Sequence, residues 1–459
     1  MVNDMTKGNP TKLIISFTIP LLIGNIFQQF YNMVDMMVVG RFLGSNALAA
    51  VGSTGSLSFL VIGFVTGITG GFSVLVAQRF GANDEKGVRH ATAMAVILSI
   101  VSTIVLTVAS VLTTDFFLKL MNTTPDIYKD AHDYIIIIFA GVGASIFYNL
   151  ISGILRALGD SKTPLYFLIV ASILNIILDI VLIKYFAMGV SGAAVATVIS
   201  QVVSGLLCLI YMAKRYTILR FQKGDWKLDL PLCKKHLQIG IPMAIQFSII
   251  AIGAIILQGA INPMGADVVA AYTAGNKVEQ LCTQPLASMG ITMATFCAQN
   301  LGAGNIDRIK LGMRKALIIS MIFTVCGSAA LLMFGRNIAS IFFVDASENI
   351  LNLAQTYLTL SAIFMPSLAL LFIYRNALQG MGNSLVPLIG GISELVMRVA
   401  CALILARFIG YVGVCLAGPL AWVGALIPMS ALYYAYIKKV KLTFKCQRNC
   451  EIVSEKVSE

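Results

Sequence analysis

Gln28–Gly40 reads QQFYNMVDMMVVG and closes the first long apolar run of a 459-residue chain. One carboxylate, Asp35, stands five residues before Gly40-Arg41, in a segment otherwise fit for hydrocarbon. Placing an acid at that depth costs roughly 2.5–3.5 kcal/mol on insertion scales, and such acids mark ion paths or relays. Asp179, in NIILDIVLIKYF, repeats the pattern five residues before Lys184. If both runs cross in the same direction, the two acids share a depth, roughly 7–8 Å from the outer helix ends at 1.5 Å per residue.

Composition fits this reading. The chain is 58% hydrophobic and 12% charged, half the charged share of a soluble domain, which makes it an integral membrane protein. Lys and Arg outnumber acids 33 to 21, but they gather in short loops rather than in a nucleic-acid-binding stripe. Runs long enough for a ~30 Å hydrocarbon core recur near 13–39, 47–78, 91–114, 131–155, 163–183, 190–213, 237–261, 267–299, 316–334, 350–378, 385–408 and 412–437. The basic loops, among them residues 214–235 and the tail from Lys438, define one side as cytoplasmic, with both termini there.

The sequence repeats across its longest basic connection. Ile19-Pro20 recurs as Ile241-Pro242, Ala77-Gln78-x-x-Gly81-Ala82 as Ala298-Gln299-x-x-Gly302-Ala303, and Gly159…Pro164 as Gly382…Pro387. The expected organisation is an N-terminal lobe (1–213, helices one to six), a basic cytoplasmic linker (214–236), a C-terminal lobe (237–437, helices seven to twelve) and a tail (438–459). Six helices per half start each half from the same face. The fold class is therefore all-α, twelve transmembrane helices in two six-helix lobes related by a pseudo-twofold along the membrane normal, with alternating access between them.

Other chemistry finds no motif. The sequence holds no P-loop, no GxSxG elbow, no Rossmann fingerprint and no HExxH, so neither an enzyme nor an ATP-driven pump is expected, and no cofactor or resident metal. The cysteines are scattered, and Cys446 and Cys450 lie in the cytoplasmic tail, where disulfides do not persist. No nucleic acid and no obligatory protein partner is implied; the bilayer is the evident one.

The motifs Asp35-x4-Gly40-Arg41-x2-Gly44, AQRFGANDEKGVR (77–89), LRALGDSKTP (155–164), AQNLGAGNIDRIKLG (298–312) and LQGMGNSLVP (378–387) carry a resemblance to the multidrug and toxic compound extrusion (MATE) family, over nearly the whole chain. The resemblance implies a secondary-active exporter of small, often cationic organic compounds in a prokaryotic cytoplasmic membrane, driven by antiport with H⁺ or Na⁺. In the DinF-like branch the coupling site joins an Asp of helix one, an Asn and an Asp four apart on helix five, and a Thr of helix six. Asp35, Asn175, Asp179 and Thr197 stand at the matching places. The NorM-like branch uses acids on helices seven and ten; here those helices offer Gln258 and Arg375, with no acid near Arg375 in sequence.

Asn175 and Asp179 share a helix face at i,i+4. Two carboxyls, an amide and a hydroxyl suit a proton and also a hard cation such as Na⁺. A structural alternative pairs Asp35 with Arg41 and Asp179 with Lys184. Gln28 and Met33, beside the helix-one acid, and Glu279 on helix eight are substrate-cavity candidates. Glu394 and Arg398, i,i+4 on helix eleven, are expected as a structural ion pair. The competing function is a flippase of lipid-linked oligosaccharide or polysaccharide in the same superfamily, which requires a strongly cationic cavity.

Overall fold

Hydrocarbon offers backbone amides no partner, so apolar runs of this length bond within themselves as helices. The computed structural model describes residues 4–121, 123–341 and 347–458, with side chains as far as residue 443. The expected state of Cys446 and Cys450 therefore lies outside the described residues. The helices are α1 (Pro10–Leu43), α2 (Ser45–Ser53), α3 (Gly55–Gly81), α4 (Glu85–Leu120), α5 (Pro125–Ala140), α6 (Val142–Ala157), α7 (Lys162–Ile180), α8 (Val190–Arg215), α9 (Leu230–Ile261), α10 (Ala266–Gly302), α11 (Ile306–Ser340), α12 (Glu348–Gly380), α13 (Leu385–Ala400) and α14 (Ala406–Ser458). No strand occurs among the described residues.

These helices account for the twelve expected spans. The second span is broken into α2 and α3, and the fourth into α5 and α6, bent by 45° at Gly141. Spans eleven and twelve run together through α13 and α14, parted by non-helical backbone at Ile409 and Gly410, where Gly410 takes φ +56°. By length and apolarity alone α10 does not qualify as a span. It carries Asp267, Lys277 and Glu279, and it reads as a span because flanking helices and the repeat require one there. Several helices overrun their apolar runs: α4 begins at Glu85, where Asp84 caps it by accepting from the Gly87 amide at 2.8 Å.

The contacts divide the chain into two compact units. Unit 1 contains residues 15–80 and 84–255, hence α2, α4–α8 and most of α1, α3 and α9. Unit 2 contains residues 4–14, 81–83 and 256–459.

In unit 1, α3 and α9 approach until their backbones touch. A Cβ on Gly67 would lie 2.6 Å from the backbone of Ala244, and one on Gly71 would strike the backbone of Gly240. Small residues at such a crossing supply the close packing that drives helix association in lipid. Gly71→Val is expected to destabilise unit 1 by about 1–3 kcal/mol or more, since backbone cannot yield as a side chain does. A lowered thermal midpoint of the purified protein in detergent checks this, with Gly259→Val, which has open space around it, as the tolerant control.

In unit 2, the segment before α1 is fastened to α10 and α11. Gln299 Oε1 accepts from the Met5 amide at 2.9 Å, Asn300 Nδ2 donates to the Met5 carbonyl at 3.1 Å, and the Arg308 guanidinium donates to the carbonyls of Met5, Lys7 and Gly8. The repeated Ala-Gln motif of the second half thus anchors the start of the chain.

Candidate functional site

Four helices of unit 1 converge on Asp35. α1 presents Tyr31 and Asp35 one turn apart and so on one face. α7 presents Asn175 and Asp179, α8 presents Thr197, and α5 presents Tyr134. Asn175 and Asp179 are fully buried and Asp35 nearly so. The carboxyls of Asp35 and Asp179 face each other within side-chain hydrogen-bonding range. Asn175 Nδ2 donates to Thr197 Oγ1 at 3.4 Å, and the Tyr31 hydroxyl bonds to Thr197 as well. Tyr134 lies within electrostatic reach of both acids and of Tyr31.

One turn nearer Gly40 the site is closed by an apolar layer. Val38 and Val39 of α1, Ala47 and Val51 of α2, Ile183 from the turn after α7, and Val190 and Ala193 of α8 form one buried cluster, with Tyr134 packed against it. The turn supplying Ile183, Val181–Tyr185, is π-helical and begins two residues after Asp179. A π turn inserts an extra residue into the helical ladder and re-aims the side chains around it, and such turns gather at functional sites. Helix eleven carries its counterpart, Cys401–Leu405, three residues after Arg398.

The arrangement has a simple chemical consequence. Two carboxyls in direct hydrogen-bond contact need one proton between them, and two carboxylates in the same place need a cation. The expected alternative partners are placed elsewhere. Asp35 makes no ion pair with Arg41 among the described residues. The Lys184 ammonium lies over the ring of Tyr185, 5.6 Å from its centroid. Gln28 and Met33 are exposed, Met33 to 46%, and are not brought into the buried cluster.

Unit 2 holds a second set of buried charges. Glu394 Oε2 accepts from Arg375 at 2.7 Å and its Oε1 from Arg398 at 2.8 Å, all three side chains being about 10% exposed or less except Arg398, at 12%. Arg375, expected to have no acid near it, is thus paired across helices; the partner lies nineteen residues away, on α13, which adjacency in sequence does not show. Glu279 of α10 accepts from the Tyr357 hydroxyl and from Ser361 Oγ at 2.9 Å, with Arg398 in electrostatic reach. Gly275 leaves the space that the Tyr357 ring fills. Gln258 donates to Asn262 at an exposed position.

Sequence reasoning missed Tyr31 and Tyr134. Tyr31 was within reach of it, being one turn before Asp35 on the same face. Tyr134 belongs to a helix with no sequence relation to the acids, and it is the packing of α5 against α8 that brings it there.

Comparisons with known proteins agree with this architecture. The MatE family model matches the chain twice, over residues 20–181 and 242–404, once on each half of the internal repeat. The probable multidrug resistance protein YoeA of Bacillus subtilis is 32% identical over 336 residues, 72% of this chain and 73% of its own. The probable multidrug resistance protein NorM of Thermotoga maritima is 26% identical over 98% of this chain and 96% of its own. The solved outward-facing structure of a multidrug resistance MATE family transporter superposes with a TM-score of 0.89 at 25% identity, covering 95% of this chain and 98% of that one. The chain's matched relatives are transporters of this twelve-helix fold, which are not enzymes. The chain belongs to the MatE family.

Proposed function

We propose that the protein exports small organic compounds, often cationic, from a bacterial cell by antiport with H⁺ or Na⁺, and that Asp35, Asp179, Asn175 and Thr197 form the coupling site. The observation that carries this reading is the contact of two buried carboxyls, from α1 and α7, with no Lys or Arg acting on Asp35. Buried charge is tolerated in a membrane protein where it is paired or where it works, and here the pairing cation is mobile. Relatives named as multidrug resistance proteins support the substrate class. The division into lobes 1–213 and 237–437 about the linker 214–236 belongs to the same proposal, supported by the double family match.

Exchange of one H⁺ for one monovalent cation moves no net charge, so only the pH gradient drives it, at about 1.4 kcal/mol per unit, or tenfold accumulation. Exchange of two adds about 2.3 kcal/mol per 100 mV. Of the three helix cations that the flippase alternative would use, Lys277, Arg375 and Arg398, two are bound by Glu394 rather than offered to a pyrophosphate, which weakens that alternative. The test is efflux of a fluorescent organic cation from vesicles given a Na⁺ gradient or a pH gradient, each alone. Export under either one supports the reading; export under neither, with protein inserted and folded, refutes it.

A further inference from the structure

Between α8 and α9 the chain leaves and re-enters the apolar layer within residues 216–229, so connectivity alone holds this linker at the edge of the bilayer. Its inner side is fastened to α4. Arg89 Nε donates to Asp225 Oδ2 at 3.1 Å, His90 Nδ1 lies 2.9 Å from the Asp225 carbonyl oxygen, and the Gln222 amide donates to the Asp225 carboxylate at 2.7 Å. At the start of the linker the Tyr216 hydroxyl donates to Asp160 at 2.7 Å; burial and that carboxylate raise its pKa.

The outer side is apolar and basic. Phe221, Trp226, Leu228 and Leu230 are between 38% and 68% exposed, and the rings of Phe221 and Trp226 lean together with centroids 5.0 Å apart. Beside them a cleft of about 630 Å³ opens between the linker and the turn from α3 to α4. Every carboxylate lining it is engaged. Asp84 faces Arg79 at 3.1 Å and Asp225 faces Arg89. Asp229 accepts from the Leu232 amide at 3.0 Å, a bond that holds its carboxyl below the ordinary range, and it faces His90 at 3.4 Å. The lining lysines, Lys86 and Lys227, are exposed and make no ion pair among the described residues.

Two uncommitted ammonium groups at the polar end, with Leu228 and Leu230 along the wall, fit a molecule with an anionic head and an apolar body. We propose that this cleft binds an anionic phospholipid of the leaflet on the linker's side, its phosphate held by Lys86 and Lys227 and its upper acyl chain against Leu228 and Leu230, with Trp226 next to Lys227 on the same linker. Basic clusters beside a span draw anionic lipid to the surface, and indoles settle at the headgroup level. The linker joins the two repeats, so a lipid fixed there makes that connection sensitive to leaflet composition.

The experiment reconstitutes the full chain in phosphatidylcholine vesicles containing a minor fraction of brominated phosphatidylglycerol or of brominated phosphatidylcholine. The other tryptophan, Trp422, is buried, and subtracting the emission of Trp226→Phe isolates the linker indole. Brominated phosphatidylglycerol should quench Trp226 at a much lower fraction than brominated phosphatidylcholine. The double variant Lys86→Gln/Lys227→Gln, on exposed side chains, should lower that preference on the order of thirtyfold. Inorganic phosphate at matched ionic strength should leave the quenching unchanged. Equal quenching by the two lipids, no quenching, full preference in the double variant, or relief by inorganic phosphate would each overturn the proposal.

Discussion

Asp35→Asn and Asp179→Asn are each expected to abolish gradient-driven export while leaving the protein in the membrane at wild-type abundance. Asn keeps the size of the side chain and removes the charge that a proton or Na⁺ cancels. In a vesicle with an imposed gradient of one pH unit, wild type gains about 1.4 kcal/mol, roughly tenfold accumulation, and either variant gains none. The two acids face each other and are coupled, so the double variant should lose no more than either single one, the non-additivity expected of groups acting as a unit. Thermal stability should hold or rise, because each substitution removes a buried carboxyl whose cost the fold otherwise bears. Export by both single variants at wild-type rates would make the cluster a structural feature.

The second large effect lies in unit 2 and concerns stability. Glu394→Gln leaves Arg375 and Arg398 buried and facing one neutral amide. Breaking a buried ion network by removing the acid that both arginines share costs about 3–5 kcal/mol, since the charge Glu394 balanced is left in the interior. Arg398→Met should be milder, because Glu394 keeps Arg375 at 2.7 Å. Replacing all three with apolar residues of similar volume should restore most of the loss, as desolvation of the three charges is then avoided. Thermal unfolding of the three variants in detergent gives the order. A Glu394→Gln protein as stable as wild type would mean that the network carries no stability and that its charges serve another end.

Much of this is legible in the sequence, and the reason is the cost of polar groups in lipid. That cost confines charge to loops, so the runs, the linker and the repeat could be read from residue types alone, down to the matched Pro20 and Pro242. The same cost singled out Asp35, Asp179, Glu279, Glu394 and Arg398 as residues needing a reason. What cost does not specify is the partner. Arg375 and Glu394 meet across two helices, Glu279 turns to Tyr357 and Ser361, and Tyr134 reaches the acids from a bent helix. Each of these depends on rotation and tilt, which an apolar run leaves free. The π turns after Asp179 and Arg398 were equally invisible, for an extra residue in a helix leaves no mark in composition.

The central claim is that the paired carboxyls hold an ion that substrate exchange displaces. Its most direct measurement adds a transported organic cation to purified protein in weakly buffered detergent solution and records the ion set free, by pH electrode or by a Na⁺-sensitive dye. The account predicts release of about one ion per protein, the number that one carboxyl–carboxyl contact holds, and none from Asp35→Asn/Asp179→Asn. Substrate binding with no ion released from wild type, or equal release from the double variant, would contradict it.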